Sequence, residues 1–270
     1  MPTDFLNRII KQKGREIAQG RKTIAEGRLA ELARQRSDFR PFYEALYRAD
    51  TGVNIIAEVK RASPSKGDIR ADLDAADTAS QYEKGGAAAV SVLTDPTYFK
   101  GHLDDLKAAR SACSLPVLRK EFIISRYQVY EAAAAGADAI LLIVRILNRE
   151  KLMQLHSLCR ELGLEALVEI HTPEDAAIVA DSDIRLVGIN NRNLTTFETD
   201  IAVAMDLVSR LRPEQVPVAA SGITGPDDVR RNLSAGIFNF LVGESIVRSP
   251  DPARFIGELK SAAAVGRPVQ

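Results

Sequence analysis

The sequence predicts an α/β protein, a (β/α)8 TIM barrel preceded by an N-terminal helical extension. Three observations point there. Eight short apolar runs alternate with helix-like stretches, at spacings of roughly 20 to 35 residues that suit strand–helix units. The runs end repeatedly in polar or ionisable residues, as barrel strands do where they deliver side chains to one rim. The length of 270 residues fits one large domain, since such barrels reach about 250 residues as a unit.

In chain order, residues 1–50 are expected to form the extension and residues 51–270 the barrel, one structural domain in all. Phe5, Ile9 and Ile10, then Ile24, Leu29 and Leu32, fall at helical offsets, and Pro41 interrupts the pattern. This stretch is locally basic, but its charges are interleaved rather than blocked, as on a solvated helix face. Strands are then expected near 53–59, 88–93, 116–120, 138–144, 164–170, 185–190, 216–221 and 237–242. The helices between them carry their own punctuation. Ser125 can cap a helix that closes at Gly136, and Asn148 one that closes at Gly163. Thr172-Pro173-Glu174-Asp175 offers a cap, a proline in the first turn and early acids, and Gly225-Pro226-Asp227-Asp228 repeats the design. A doubly wound open sheet competes, yet no Gly-x-Gly-x-x-Gly turn follows the first strand.

Composition narrows the function classes. An apolar fraction of 46% with 6% aromatic residues and no Trp describes a core of Ala, Val, Ile and Leu, the make-up of buried parallel strands under helices. Lys plus Arg equals Asp plus Glu at 36 each, so no overall field favours nucleic acid or an anionic membrane. No run approaches the roughly 18 apolar residues of a membrane span, and Met1-Pro2-Thr3-Asp4 does not open a signal peptide. Cys113 and Cys159 lack metal-like spacing and read as free thiols of a reducing, cytoplasmic setting. There is no ligand set for a metal, no nucleophilic triad and no cofactor motif. The histidines do not suggest histidine catalysis, because His102 and His156 sit in helix-like stretches and His171 starts a capped helix.

Barrel active sites lie at the C-terminal strand ends, so what those ends carry is the test. They carry Glu58 and Lys60, Lys120, Glu169, Asn190 with Arg192, Ser221-Gly222, and Gly243-Glu244-Ser245. A lone Lys or Glu past a strand is most often a solvated loop residue; five strands ending this way are harder to dismiss. In Ile55-Ile56-Ala57-Glu58-Val59-Lys60, alternation puts Ile56, Glu58 and Lys60 on one face, so an acid and a base project together. Lys120 and Glu169, from the third and fifth strands, are near enough around a rim to share a substrate with them, and such pairs suit general acid and base work. A Schiff-base role for a lysine stays open. At Ser221-Gly222 and Gly243, bare backbone can approach an anion such as phosphate, with Ser63 adding a hydroxyl and Lys60 a charge. Glu244 can contribute only its backbone N–H, because its carboxylate repels phosphate. The bland reading is that these glycines merely turn the chain.

The stretch Ile56-Ala57-Glu58-Val59-Lys60-Arg61-Ala62-Ser63-Pro64-Ser65-Lys66-Gly67 resembles the signature of the indole-3-glycerol phosphate synthase family. Leu118-Arg119-Lys120-Glu121-Phe122-Ile123, Leu167-Val168-Glu169-Ile170, Gly188-Ile189-Asn190-Asn191-Arg192-Asn193-Leu194, Ser221-Gly222-Ile223 and Leu241-Val242-Gly243-Glu244-Ser245 extend the likeness in order along nearly the whole chain. The resemblance implies a cofactor-free ring closure of 1-(2-carboxyphenylamino)-1-deoxyribulose 5-phosphate, with loss of carbon dioxide and water. It implies Lys120 as general acid, Glu169 as its charge-matched partner, Glu58 as base, and Lys60 as an acid or phosphate contact. Asn190, counted with the catalytic residues, and Arg192 would hold polar groups of the substrate, and Ser221 would add a contact. Phe99, Phe122, Leu141, Leu194 and Val242 would form an apolar slot for the aromatic ring, overhung by the N-terminal helices. Partner enzymes of the tryptophan pathway cannot be named from it.

One position departs from the family pattern. Ala220 stands where a glutamate usually precedes Ser-Gly-Ile, which implies slower turnover or, as an alternative, a non-catalytic phosphate-binding paralogue. A sugar-phosphate isomerase on the same barrel is a further alternative, though it has less need of Lys60, Lys120 and Arg192 together.

Overall fold

The computed structural model describes residues 3–47 and 52–263. Eight parallel strands close into a barrel: β1 (Asn54–Val59), β4 (Ala89–Leu93), β5 (Val117–Lys120), β6 (Ala139–Ile143), β7 (Glu165–Ile170), β8 (Leu186–Asn190), β9 (Val216–Ala220) and β10 (Asn239–Val242). Closure is by pairing of β1 with both β4 and β10, Ala57 lying opposite Val90 on one side and Val242 on the other. A two-stranded hairpin, β2 (Ala62–Ser63) with β3 (Gly67–Asp68), folds the loop after β1 back on itself. The expected strands therefore stand, with ends displaced by at most two residues. The expected boundary between residues 50 and 51 lies outside the described residues.

Alternation along the strands sorts the core into two layers. Ile56, Leu118, Leu141, Leu167, Val218 and Leu241 point into the barrel, whereas Ile55, Ala57, Val90, Val168, Val187 and Phe240 pack outward against the helices. Those helices are α4 (Ala75–Lys84), α5 (Leu103–Ala112), α6 (Arg126–Ala135), α7 (Arg149–Leu162), α8 (Pro173–Ala180), α9 (Ala202–Leu207), α10 (Pro226–Ser234), α11 (Glu244–Arg248) and α12 (Pro252–Ser261).

Caps fix where several of them start and stop. Ser125 accepts from Tyr127 N, and Asn148 from Lys151 N. Thr172 and Asp175 bond each other's backbone in a capping box. Gly136 and Gly163 end α6 and α7 in the left-handed region that a glycine tolerates. Gly225 is the N-cap of α10, with Pro226 and the acids Asp227 and Asp228 in its first turn as expected, and Thr224 donates to Asp228 from both its backbone N and Oγ1. One detail differs from the sequence expectation. His102 is the N-cap of α5, its Nδ1 accepting from Asp104 N, rather than a residue within a helix.

The extension comprises α1 (Thr3–Thr23), α2 (Glu26–Gln35) and α3 (Phe42–Tyr47), and it spans the barrel from one end to the other. Only α1 overhangs the rim. At the opposite end, Phe42 and Leu46 of α3 join the barrel interior, and Asn54 at the start of β1 donates to Leu46 O. This departs from the expectation that the N-terminal helices all cover the slot. The cause is connectivity, because β1 must begin at the end away from the rim. The intervening segment is held along the barrel wall by Asp138, which accepts from Arg36 at 2.7 Å and Arg110 at 2.6 Å.

Candidate active site

At the C-terminal ends of the strands lies a cavity of about 690 Å3. The sixteen residues singled out from the sequence all line it: Glu58, Lys60, Ser63, Phe99, Lys120, Phe122, Leu141, Glu169, Asn190, Arg192, Leu194, Ser221, Gly222, Val242, Gly243 and Glu244. Strand ends, turns and loops bring them together from most of the barrel's circumference.

At its centre is a chain of opposite charges. Lys60 Nζ pairs with Glu58 Oε1 at 2.7 Å, while Lys120 Nζ stands 3.9 Å from Glu58 Oε2 and 3.8 Å from Glu169 Oε2. The Glu58 and Glu169 side chains are 5% and 3% exposed and those of Lys60 and Lys120 16% and 17%, so the lysines are the more open to a ligand and the carboxylates lie deeper. Asn190 Nδ2 donates to Glu169 Oε1 at 3.1 Å and its Oδ1 accepts from Arg192 N at 3.0 Å, fixing the amide's orientation. Burial pushes the Glu58 carboxyl up, but Lys60, Lys120 and Arg192 together outweigh it, and its pKa lies below the ordinary carboxylate value. Glu58 is thereby an anion at neutral pH.

One side of the cavity suits an anion. Ser221 and Gly222 both adopt the left-handed conformation, with φ of 65° and 81°, and a Cβ on Gly222 would stand 2.8 Å from Thr199 Cγ2. Asn191 holds this turn, donating to Ser221 O at 3.0 Å. Gly243 is equally constrained, since a Cβ there would meet Lys60 Nζ at 3.0 Å and press still closer on Glu58. The Ser63 hydroxyl is buried and has no hydrogen-bond partner among the described residues. Glu244 pairs with Arg248 at 3.1 Å, which offsets the charge that would repel a phosphate. Arg192 reaches across to the Ser65 hydroxyl and so joins the loop after β8 to the hairpin loop after β1.

The opposite side is apolar. Phe99 and Phe122 meet with ring centroids 6.2 Å apart, with Leu141 and Leu194 beside them; Val242, expected in the same slot, also lines the cavity but packs with Ala57 and Val90 in the outward layer. Phe5, Leu6 and Ile9 of α1 complete this wall, and the Phe5 ring packs edge-on against Tyr98 and Phe197. The cavity therefore offers one apolar wall and one wall suited to an anion.

Several residues here were not legible as site residues. The side chain of Lys13 is 1% exposed and pairs with Asp95 at 2.6 Å, Glu16 at 2.8 Å and Glu121 at 3.0 Å, pinning α1 to loops that carry Phe99 and Phe122. A signal existed: Lys13 interrupts the stripe Ile9, Lys13, Ile17, a cation on an otherwise apolar helix face. Phe197 and Thr199 lie in an irregular loop with no periodicity to mark them. His171, set aside with the other histidines, places Nε2 3.4 Å from Glu169 Oε1. Among the described residues no group of three His, Cys, Asp or Glu could hold a metal, and no helix is long and apolar enough to cross a membrane.

Comparison with known proteins agrees with this geometry. The family model for indole-3-glycerol phosphate synthase matches residues 6–259. The chain is 57% identical to the indole-3-glycerol phosphate synthase of Desulfosudis oleivorans, over 95% of this chain and 98% of that one. It is 48% identical to the corresponding protein of Syntrophobacter fumaroxidans, over 97% and 99%. Among solved structures, tryptophan synthase subunit alpha from Legionella pneumophila superposes with a TM-score of 0.60 at 13% identity, covering 83% of this chain and 98% of that one, a likeness of fold alone.

Proposed function

The chain belongs to the indole-3-glycerol phosphate synthase family, and from that premise we propose how its cavity divides the work of the family's reaction. The reaction is the ring closure of 1-(2-carboxyphenylamino)-1-deoxyribulose 5-phosphate to indole-3-glycerol phosphate with loss of carbon dioxide and water, a carboxy-lyase step of tryptophan biosynthesis.

The observation that carries the assignment is Lys120 standing between two buried carboxylates at the junction of the apolar and anion-binding walls. The substrate phosphate sits at Gly222 and Gly243, with Ser63 and Lys60, and the anthranilate ring lies among Phe99, Phe122, Leu141, Leu194 and Val242. Tethering both ends brings the ring carbon against the ketone, which replaces much of the entropy cost of the attack. As the carbon–carbon bond forms, the ketone oxygen gains negative charge, and Lys120 gives it a proton. Glu169, 3.8 Å away, holds Lys120 aimed.

Carbon dioxide then leaves and the bond electrons return to the ring system. In the last step the new hydroxyl departs as water, protonated by a lysine, while Glu58 takes a proton. Its low pKa keeps Glu58 ionised, but the ion pair with Lys60 also makes it a weak base. A phosphate that draws Lys60 away from Glu58 relieves that pairing and strengthens the base when substrate is bound. Arg192 presents a planar fork suited to a carboxylate, and Asn190 and Ser221 take the remaining polar groups. A reducing, cytoplasmic setting suits Cys113 and Cys159, both free and buried.

The experiment is direct. The purified chain is mixed with the carboxyphenylamino sugar phosphate and indole fluorescence is followed. Product formation that ceases in Lys120→Ala supports the assignment; normal turnover in that variant removes it.

A further inference from the structure

Behind the pairing of Glu169 with Lys120 lies a side chain that the reaction as assigned does not use. His171 follows β7 directly, and strand alternation sets it on the same side as Glu169. Its side chain is 3% exposed, and Nε2 is 3.4 Å from Glu169 Oε1, yet neither ring nitrogen has a hydrogen-bond partner among the described residues. A buried polar group left unpaired is costly and calls for a reason. The backbone is held more firmly than the ring: His171 N donates to Asp175 Oδ2 at 2.8 Å, within the capping box of α8. The charged groups around the ring are Glu169 and Asp175 as anions and Arg145 and Lys120 as cations. Burial, against the pull of both carboxylates, keeps the imidazole pKa below its usual value.

A neutral imidazole has one N–H and one lone pair, and a carboxylate can only accept, so a hydrogen bond to Glu169 requires the proton on the nitrogen that faces it. Catalytic hydrogen bonds are often long before substrate binds and tighten afterwards. We propose that His171 is a positioning residue of the reaction: its Nε2–H closes on Glu169 Oε1 and, with the Asn190 amide, holds that carboxylate so that Oε2 faces the Lys120 ammonium. The inference rests on the reading of Glu169 and Lys120 given above. A ring that only fills space would be replaceable by any side chain of similar bulk.

The test compares His171→Leu and His171→Gln, each alone and in a Glu169→Gln background, by steady-state kinetics with thermal melting alongside. His171→Leu is expected to lower kcat about tenfold, the scale of one hydrogen bond to a charged group, with KM within about twofold. His171→Gln, which returns an N–H donor, should recover most of that loss, and His171→Leu should add little once Glu169 is already Gln. An unchanged kcat in His171→Leu, or the same loss in both backgrounds, overturns the inference. If Glu169→Gln alone leaves kcat intact, the reading of Glu169 fails independently of His171. Should the Leu variant not fold, 15N spectra of labelled histidine in the intact enzyme decide, since three histidines are few enough to assign by substitution. A neutral Nε2–H form supports the inference and an Nδ1–H form overturns it.

Discussion

Glu58 and Lys60, two residues apart at the end of β1, meet at 2.7 Å, and the same carboxylate faces Lys120 at 3.9 Å. Burial raises the Glu58 pKa and the cations lower it, with the cations prevailing. Removing the nearer cation shifts the balance toward burial and raises the pKa. Lys60→Met is therefore expected to move the acid limb of the kcat/KM profile to higher pH, because the base must be ionised and now ionises later. A limb that stays in place, or moves to lower pH, would show that Glu58 is not the group that titrates.

Lys13 is the cation of a buried cluster with Asp95 and Glu121, and burial, which lowers its pKa, is outweighed by those two carboxylates. Lys13→Met leaves both acids without it. The expected cost is about 3–5 kcal/mol of stability, the usual scale for breaking a buried pair, read from urea unfolding. Because α1 carries Phe5, Leu6 and Ile9 into the cavity, KM should rise as well. Unchanged unfolding would mean that the helix is seated by its apolar contacts alone.

Ala220 pairs in register with Asn190 and lines the cavity. A carboxylate there faces the same space as Lys120 and Glu169. Ala220→Glu is expected to raise kcat by about tenfold, the equivalent of one added charge-assisted hydrogen bond. No gain in single-turnover or steady-state rate would mean that the position is immaterial in this protein.

The strands and the rim residues were legible for one physical reason. A parallel strand buried on both faces must be apolar until it ends, so Glu58, Lys120, Glu169 and Asn190 stand out against Ile, Leu and Val. Once the barrel follows, its geometry brings those ends together without further information. Part of what stayed hidden depends on contacts between segments far apart in sequence. The Lys13 ammonium needs Asp95 and Glu121, both more than 80 positions away, before its burial makes sense. His171 looked like a residue opening a helix because Thr172 and Asp175 cap one, and only the side alternation of β7 turns it toward Glu169. The placement of α3 beneath the barrel likewise follows from where β1 starts, not from any pattern within Phe42–Tyr47.

The central claim is that Lys120 donates the proton which the closing ring requires. Its most direct measurement is kcat and KM for Lys120→Ala with the carboxyphenylamino sugar phosphate. The account predicts a fall in kcat of about a hundredfold or more, the scale of a positioned general acid, with KM within a few-fold. A large rise in KM with kcat preserved would make Lys120 a binding residue and contradict it.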